Sequence, residues 1–199
     1  MRHSIAAFLL ILLLSGTYNA KAQNRLTESV DELLPYGKSV TFKISYGGND
    51  LYSSEDIEGG PSYTGRGFYS IEAEMAFRIT DNIDIVPGIS FIGNSFDVSP
   101  AYRPTLSDRQ SLNVFSIPVY VRYHFFKYLF LSGGPTFNVN GGDRDLNGIG
   151  AGLHFGGEFK LNNGLLVTFG PFIRYQGILP WKSYKLANRG VTFGVGYRF

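Results

Sequence analysis

From Ser39 to Phe199 the chain alternates apolar and polar residues with a period of two, in eight segments: 39–47, 67–80, 83–96, 112–126, 128–140, 148–161, 165–176 and 190–199. Such a period sends successive side chains to opposite faces of a β-strand. In the second segment Ile71, Ala73, Met75, Phe77 and Ile79 share one face, and Ser70, Glu72, Glu74, Ala76 and Arg78 share the other. In the last, Val191, Phe193, Val195, Tyr197 and Phe199 alternate with Gly190, Thr192, Gly194, Gly196 and Arg198. Ten charged residues fall inside the segments: Lys43, Glu72, Glu74, Arg78, Asp84, Arg122, Glu158, Lys160, Arg174 and Arg198. Every one lies on the phase opposite the apolar set.

A soluble sandwich also segregates charge, but its apolar faces are covered by a second sheet. Here the apolar face is long and aromatic in every segment. The opposite face mixes acids, bases and small residues such as Gly150, Gly152, Gly156, Gly194 and Gly196. That pattern suits the crowded polar interior of a small closed barrel whose outside faces lipid. Composition agrees: 17% of residues are charged, against ~25% in soluble domains. No stretch beyond residue 22 is apolar for the roughly 20 residues of a membrane-spanning helix. The expected fold is all-β, an eight-stranded antiparallel up-and-down transmembrane β-barrel.

The connections alternate between tight (80–82, 126–127, 162–164) and long (48–66, 97–111, 141–147, 177–189). Short periplasmic turns and longer external loops are the asymmetry of outer-membrane barrels, and an even strand count leaves both ends periplasmic. Strands running toward the tight turns end Phe77-Arg78-Ile79, Tyr123-His124-Phe125, Phe159-Lys160-Leu161 and Tyr197-Arg198-Phe199, each aromatic, basic, apolar. The aromatic is expected outward at the interface and the base inward. Pro87, Pro135 and Pro171 each sit beside a glycine. Because proline removes a ladder hydrogen bond, they are read as bulges or kinks that help curve the sheet.

The first residues read as an export signal, 1–22. Arg2 and His3 precede the apolar run Ile5–Leu14, and Ala20-Lys21-Ala22 is the small-x-small pattern cleaved to leave Gln23. Residues 23–37 form an expected periplasmic segment, with the barrel at 38–199. Leu26, Val30, Leu33 and Leu34 fall at helical spacing before Pro35. This is either a short amphipathic helix or a loosely ordered extension. Without residues 1–22 the chain has 16 basic and 16 acidic residues, which gives no electrostatic footprint for nucleic acid. It has no cysteine, hence no disulfide, thiolate chemistry or lipidated cysteine.

Ile117-Pro118-Val119-Tyr120-Val121-Arg122-Tyr123, Ser132-Gly133-Gly134-Pro135 and Gly196-Tyr197-Arg198-Phe199 resemble the outer membrane protein beta-barrel domain family. That family is common in Bacteroidetes and includes PorT-like proteins and relatives of OmpA and OmpX. The resemblance implies fold and outer-membrane location rather than an activity. The alternate Phe193, Val195, Tyr197 and terminal Phe199 look like the signal read by the barrel-assembly machinery, which implies export followed by insertion.

The candidate luminal polar network is Lys43, Glu72, Glu74, Arg78, Arg122, Glu158, Lys160, Arg174 and Arg198. Its acids and bases are expected to pair and plug the barrel, the alternative being a narrow solute channel. A lipid A or phospholipid enzyme needs a histidine with serine and carboxylate partners near the outer rim. His124 falls at the opposite end, and His154 is mid-strand and inward with no serine two residues on. No catalytic residue and no cofactor are assigned. Asp143, Asp145 and Asn147 match the opening of a calcium loop, but the twelfth position, ordinarily glutamate, is His154. Loop residues Asp50, Tyr52, Glu55, Asp56, Glu58 and Tyr63, then Tyr102 and Arg103, then Leu179, Trp181 and Tyr184, are candidates either for contacts to a protein or glycan partner or for the headgroup level. The function expected is a non-enzymatic barrel serving envelope structure or presenting its loops, in contact with outer-membrane lipid.

Overall fold

Alternating β-branched and aromatic residues fit a pleated surface, and the chain uses them to build eight long strands. The computed structural model describes residues 37–53, 61–100, 102, 106–141, 146–161, 163–180 and 184–199. The signal segment with its Ala20, Ala22 and Gln23 junction, and the helical stretch at 24–35, lie outside the described residues. The strands are β1 (Lys38–Ser53), β2 (Ser62–Thr80), β3 (Ile83–Ser99), β4 (Asp108–Phe125), β5 (Leu129–Asn140), β6 (Gly148–Lys160), β7 (Leu165–Leu179) and β8 (Tyr184–Arg198). Each pairs antiparallel with its sequence neighbours, and β8 pairs back onto β1 to close the barrel. At the seam Lys38 N donates to Phe199 O at 3.1 Å, and Phe199 N donates to Lys38 O at 2.9 Å.

The turn end is held locally. Thr80 Oγ1 accepts from the backbone of Ile83 at 3.1 Å, and Asn163 Oδ1 accepts from that of Leu165 at 3.1 Å. Between β4 and β5 the exposed Phe126 takes a positive φ of 56°.

The outer wall carries a belt of exposed apolar side chains: on β4 Phe115, Ile117, Val121 and Tyr123, on β1 Phe42, Ile44 and Tyr46. From Phe115 to Phe125 the belt matches the ~9–11 residues with which a strand crosses hydrocarbon.

Six strands run beyond the expected segments into what the sequence suggests are long loops. There the polarity of the wall inverts. Leu51, Phe68, Ile92, Phe96, Leu112, Val114, Leu146 and Leu186 are buried inside the barrel, with Tyr63, Phe172 and Tyr184 packed against them. The outside at that level carries the ion pairs Arg66–Asp97 at 2.5 Å and Arg189–Asp50 at 2.9 Å. Above hydrocarbon the wall meets water, so apolar side chains gain only by turning inward. The interior is therefore not polar throughout: an apolar layer closes the loop end.

The prolines do not produce the expected bulges. Regular pairing lapses between Pro87↔Val119 and Ser90↔Ser116, between Pro118↔Thr136 and Val121↔Gly133, and between His154↔Phe172 and Gly157↔Phe169, and it resumes each time in the same register. Each proline removes one donor, yet its fixed φ still suits a strand. The register shifts lie elsewhere, at Gly65/Gly67, Arg78/Thr80 and Ile149/Ala151.

Candidate functional site

Even-numbered positions of β3 to β8 and of β2 from Phe68 on, and odd ones of β1, face the lumen, so the sheet brings together charges far apart in sequence. Glu72 and Glu74 project from β2 toward Lys43 on β1, their cross-strand neighbour. Lys43 Nζ lies 2.6 Å from Glu74 Oε1. Arg122, from β4 and 1% exposed, donates from Nη2 to Glu74 Oε2 at 2.7 Å and from Nη1 to Glu158 Oε2 at 3.3 Å. Arg174 on β7 donates to Glu72 Oε2 at 2.6 Å and to Ser90 Oγ at 3.0 Å. Lys43, Arg122 and Arg174 thus balance Glu72, Glu74 and Glu158 within the buried layer. Balance is required there, since an unpaired charge out of water costs several kcal/mol. The Arg122 guanidinium also stands 4.7 Å over the Phe130 ring.

Nearer the turn end the lumen is partly solvated. Asp84 is ion-paired with Arg78 and lies 2.6 Å from His124 Nε2. Lys160 Nζ reaches Glu158 at 3.3 Å, and Arg198 lines a small void beside Arg78 and Lys160.

Toward the loop end a chain of amides crosses the interior. Gln176 donates to Asn188 at 3.2 Å, Asn188 to Asn94 at 2.6 Å, and Asn49 to the same Asn94 oxygen at 3.2 Å. Sequence reasoning did not single out these amides, Asp84 or Ser90 as site residues, although their phase marks them as inward. Small residues admit the large ones: a Cβ on Gly156 would lie 2.7 Å from Phe130 Cζ, and one on Gly152 would run into the Tyr120 hydroxyl. The cavity remaining among Lys43, Glu72, Tyr120, His154 and Arg174 is about 20 Å³, the room of one water molecule.

The histidines are separated. His154 is buried in mid-lumen with its ring edge-on to Phe130 at 4.8 Å, and its cross-strand partner is Ser132. His154 Nε2 and Ser132 Oγ both lack a hydrogen-bond partner among the described residues, so the two are adjacent without being linked. Of the calcium-loop candidates, Asp143 and Asp145 lie outside the described residues. Asn147 Oδ1 accepts from the backbone of Asn140 at 2.5 Å, and no acidic or histidine cluster able to hold a metal occurs among the described residues. Glu55, Asp56, Glu58, Arg103 and Trp181 are likewise outside them, whereas Tyr52, Tyr102 and Leu179 are exposed and Tyr63 and Tyr184 pack on the apolar layer.

The barrel is similar in fold to the crystal structure of the outer membrane protein OprG from Pseudomonas aeruginosa, with a TM-score of 0.52 and 12% identity, covering 82% of this chain and 96% of that one. It is similar also to the solid-state NMR structure of the outer membrane protein AlkL in DMPC lipid bilayers, with a TM-score of 0.51 and 14% identity, covering 82% and 90%. No protein-family model and no curated protein matches the sequence.

Proposed function

We propose that the chain is an integral outer-membrane protein of a Gram-negative cell, a closed and non-catalytic barrel that anchors and displays its loop-end projection. The observation that carries this reading is the lumen: ion pairs span it from β2 to β4 and β7, with an apolar layer above them. Beside these pairs the described residues leave luminal voids of about 20 and 10 Å³, room for a water molecule and too small for a solute or substrate. The shared fold with outer-membrane barrels supports the location. Tight turns then face the periplasm and the loops face outward.

In the same reading residues 1–22 are removed after Ala22, and Phe193, Val195, Tyr197 and Phe199 guide insertion by the barrel-assembly machinery. The motifs resembling Bacteroidetes-type small barrels support that source. The loops would meet a protein or surface ligand through Tyr52 and Tyr102. Planar-bilayer recording tests the central claim: purified protein is expected to give no steady conductance, and regular open-channel steps would overturn it. Lipid A mass spectra unchanged when His124 and His154 are both replaced by alanine would uphold the non-catalytic reading, and altered spectra would refute it.

A further inference from the structure

The outer wall of β1 and its neighbours carries two contiguous features that no luminal role explains. The lower one is an apolar groove of about 510 Å³ in the belt between β7, β8 and β1, walled by Ile44, Tyr46, Phe169, Val191 and Phe193 and floored at Gly170 and Pro171. The upper one is a polar depression of about 500 Å³ across β8, β1 and β2, bounded by Asp50, Arg66 and Arg189. Tyr46, 70% exposed, lines both.

The upper depression is built by glycine. Gly48 faces outward on β1, and a Cβ placed there would meet nothing within 4 Å. The register shift between Gly65 and Gly67, with Gly67 at a φ of +117°, accompanies an Arg66 side chain left 54% exposed. Arg189, paired with Gly48 in register, is 67% exposed on the other side. Each arginine touches one carboxylate, Arg66 that of Asp97 and Arg189 that of Asp50, and both line the hollow. Exposed ion pairs of this kind are weak, with a median near 0–1 kcal/mol. A phosphate monoester, which takes guanidinium forks at short range, can share these donors.

The geometry points to a seat for one phosphorylated glycolipid of the outer leaflet, its phosphate between Arg66 and Arg189 and an acyl chain in the groove below Tyr46. Height supports this occupant. Tyr46 and Tyr69 end the apolar belt at the level where amphipathic rings meet headgroups, and the hollow lies directly above. It opens sideways, into the plane of the leaflet, so a ligand arriving along the leaflet enters it directly. The inference rests on the outer-membrane reading proposed above.

The test is native mass spectrometry of the signal-cleaved protein released from nanodiscs of phosphatidylcholine doped with diphosphoryl lipid A, with its dephosphorylated form, or with phosphatidylglycerol. Retention of one diphosphoryl lipid A per barrel, at least tenfold over both other lipids, is expected. Arg66→Gln with Arg189→Gln should lower retention at least tenfold. So should Gly48→Leu, which fills the hollow without removing a charge, while Lys127→Gln at the turn end should not. Equal retention of the dephosphorylated form, or no loss in either cradle variant, would overturn the site. Equal retention of phosphatidylglycerol would overturn the choice of a glycolipid. Heat-modifiable gel migration is measured alongside: its absence in the parent protein would count against the membrane barrel itself, whereas a variant that keeps it has lost only the seat.

Discussion

Arg122 of β4 donates to Glu74 of β2 inside the lumen, past the intervening β3, at 2.7 Å, with 2% of either side chain exposed. Glu74 also holds Lys43, so removing this one carboxylate strands Lys43 and leaves Arg122 with Glu158 alone, at 3.3 Å.

Glu74→Ala is therefore expected to destabilise the folded barrel by about 3–5 kcal/mol, the cost of leaving a buried charge unpaired. Reversible urea titration in lipid vesicles, followed by circular dichroism, measures it. Adding Arg122→Met should cost less than the sum of the two single changes. Strict additivity would mean the two side chains do not meet.

The belt predicts a depth dependence along one face of one strand. Ile117→Arg lies within the apolar band and should cost about 2–4 kcal/mol, whereas Ser111→Arg, six residues toward the loop end on the same face, should cost about 0–1. The same urea titration distinguishes them, and equal costs would contradict the assigned band.

The apolar layer at the loop end should behave as a protein core. Phe68 is 2% exposed and sits edge-on to Phe172 at 5.7 Å. Phe68→Ala is expected to cost about 3–5 kcal/mol. A loss below about 1 kcal/mol would show that this layer is not packed in solution.

Gly156 and Gly48 form a matched pair of tests. Leucine at Gly156 collides with Phe130 and should cost about 1–3 kcal/mol through overpacking. Leucine at Gly48 enters open space and should change stability by no more than about 0.5 kcal/mol. Thermal melts of both variants give the comparison.

The phase of the alternation was enough to read strand number, antiparallel order and the inward set from Lys43 to Arg198, because a period of two fixes the face of every residue. Partners were not readable. Arg174 meets Glu72 across 102 positions of sequence, and which strands face each other across a barrel depends on stagger rather than on local pattern. The strand ends were missed for a different reason. Gly47-Gly48-Asn49-Asp50 looks like a turn, yet it continues β1. The bulge between Gly65 and Gly67 then shifts parity, so that Tyr63 and Phe68 both pack in the same interior layer. Of the two readings of the prolines, the bulge failed because a lost donor was equated with an inserted residue.

The two hydrogen bonds between Lys38 and Phe199 have a kinetic meaning beyond closure. They join the first strand to the last, the longest sequence separation in the sheet, and such contacts form late. Until they form, any partly built sheet has two raw edges, each a row of unsatisfied amides able to recruit another chain. In hydrocarbon those amides have no water to turn to. The hazard of making this protein is thus concentrated in the interval before one strand finds another, and it ends when the sheet ceases to have a margin.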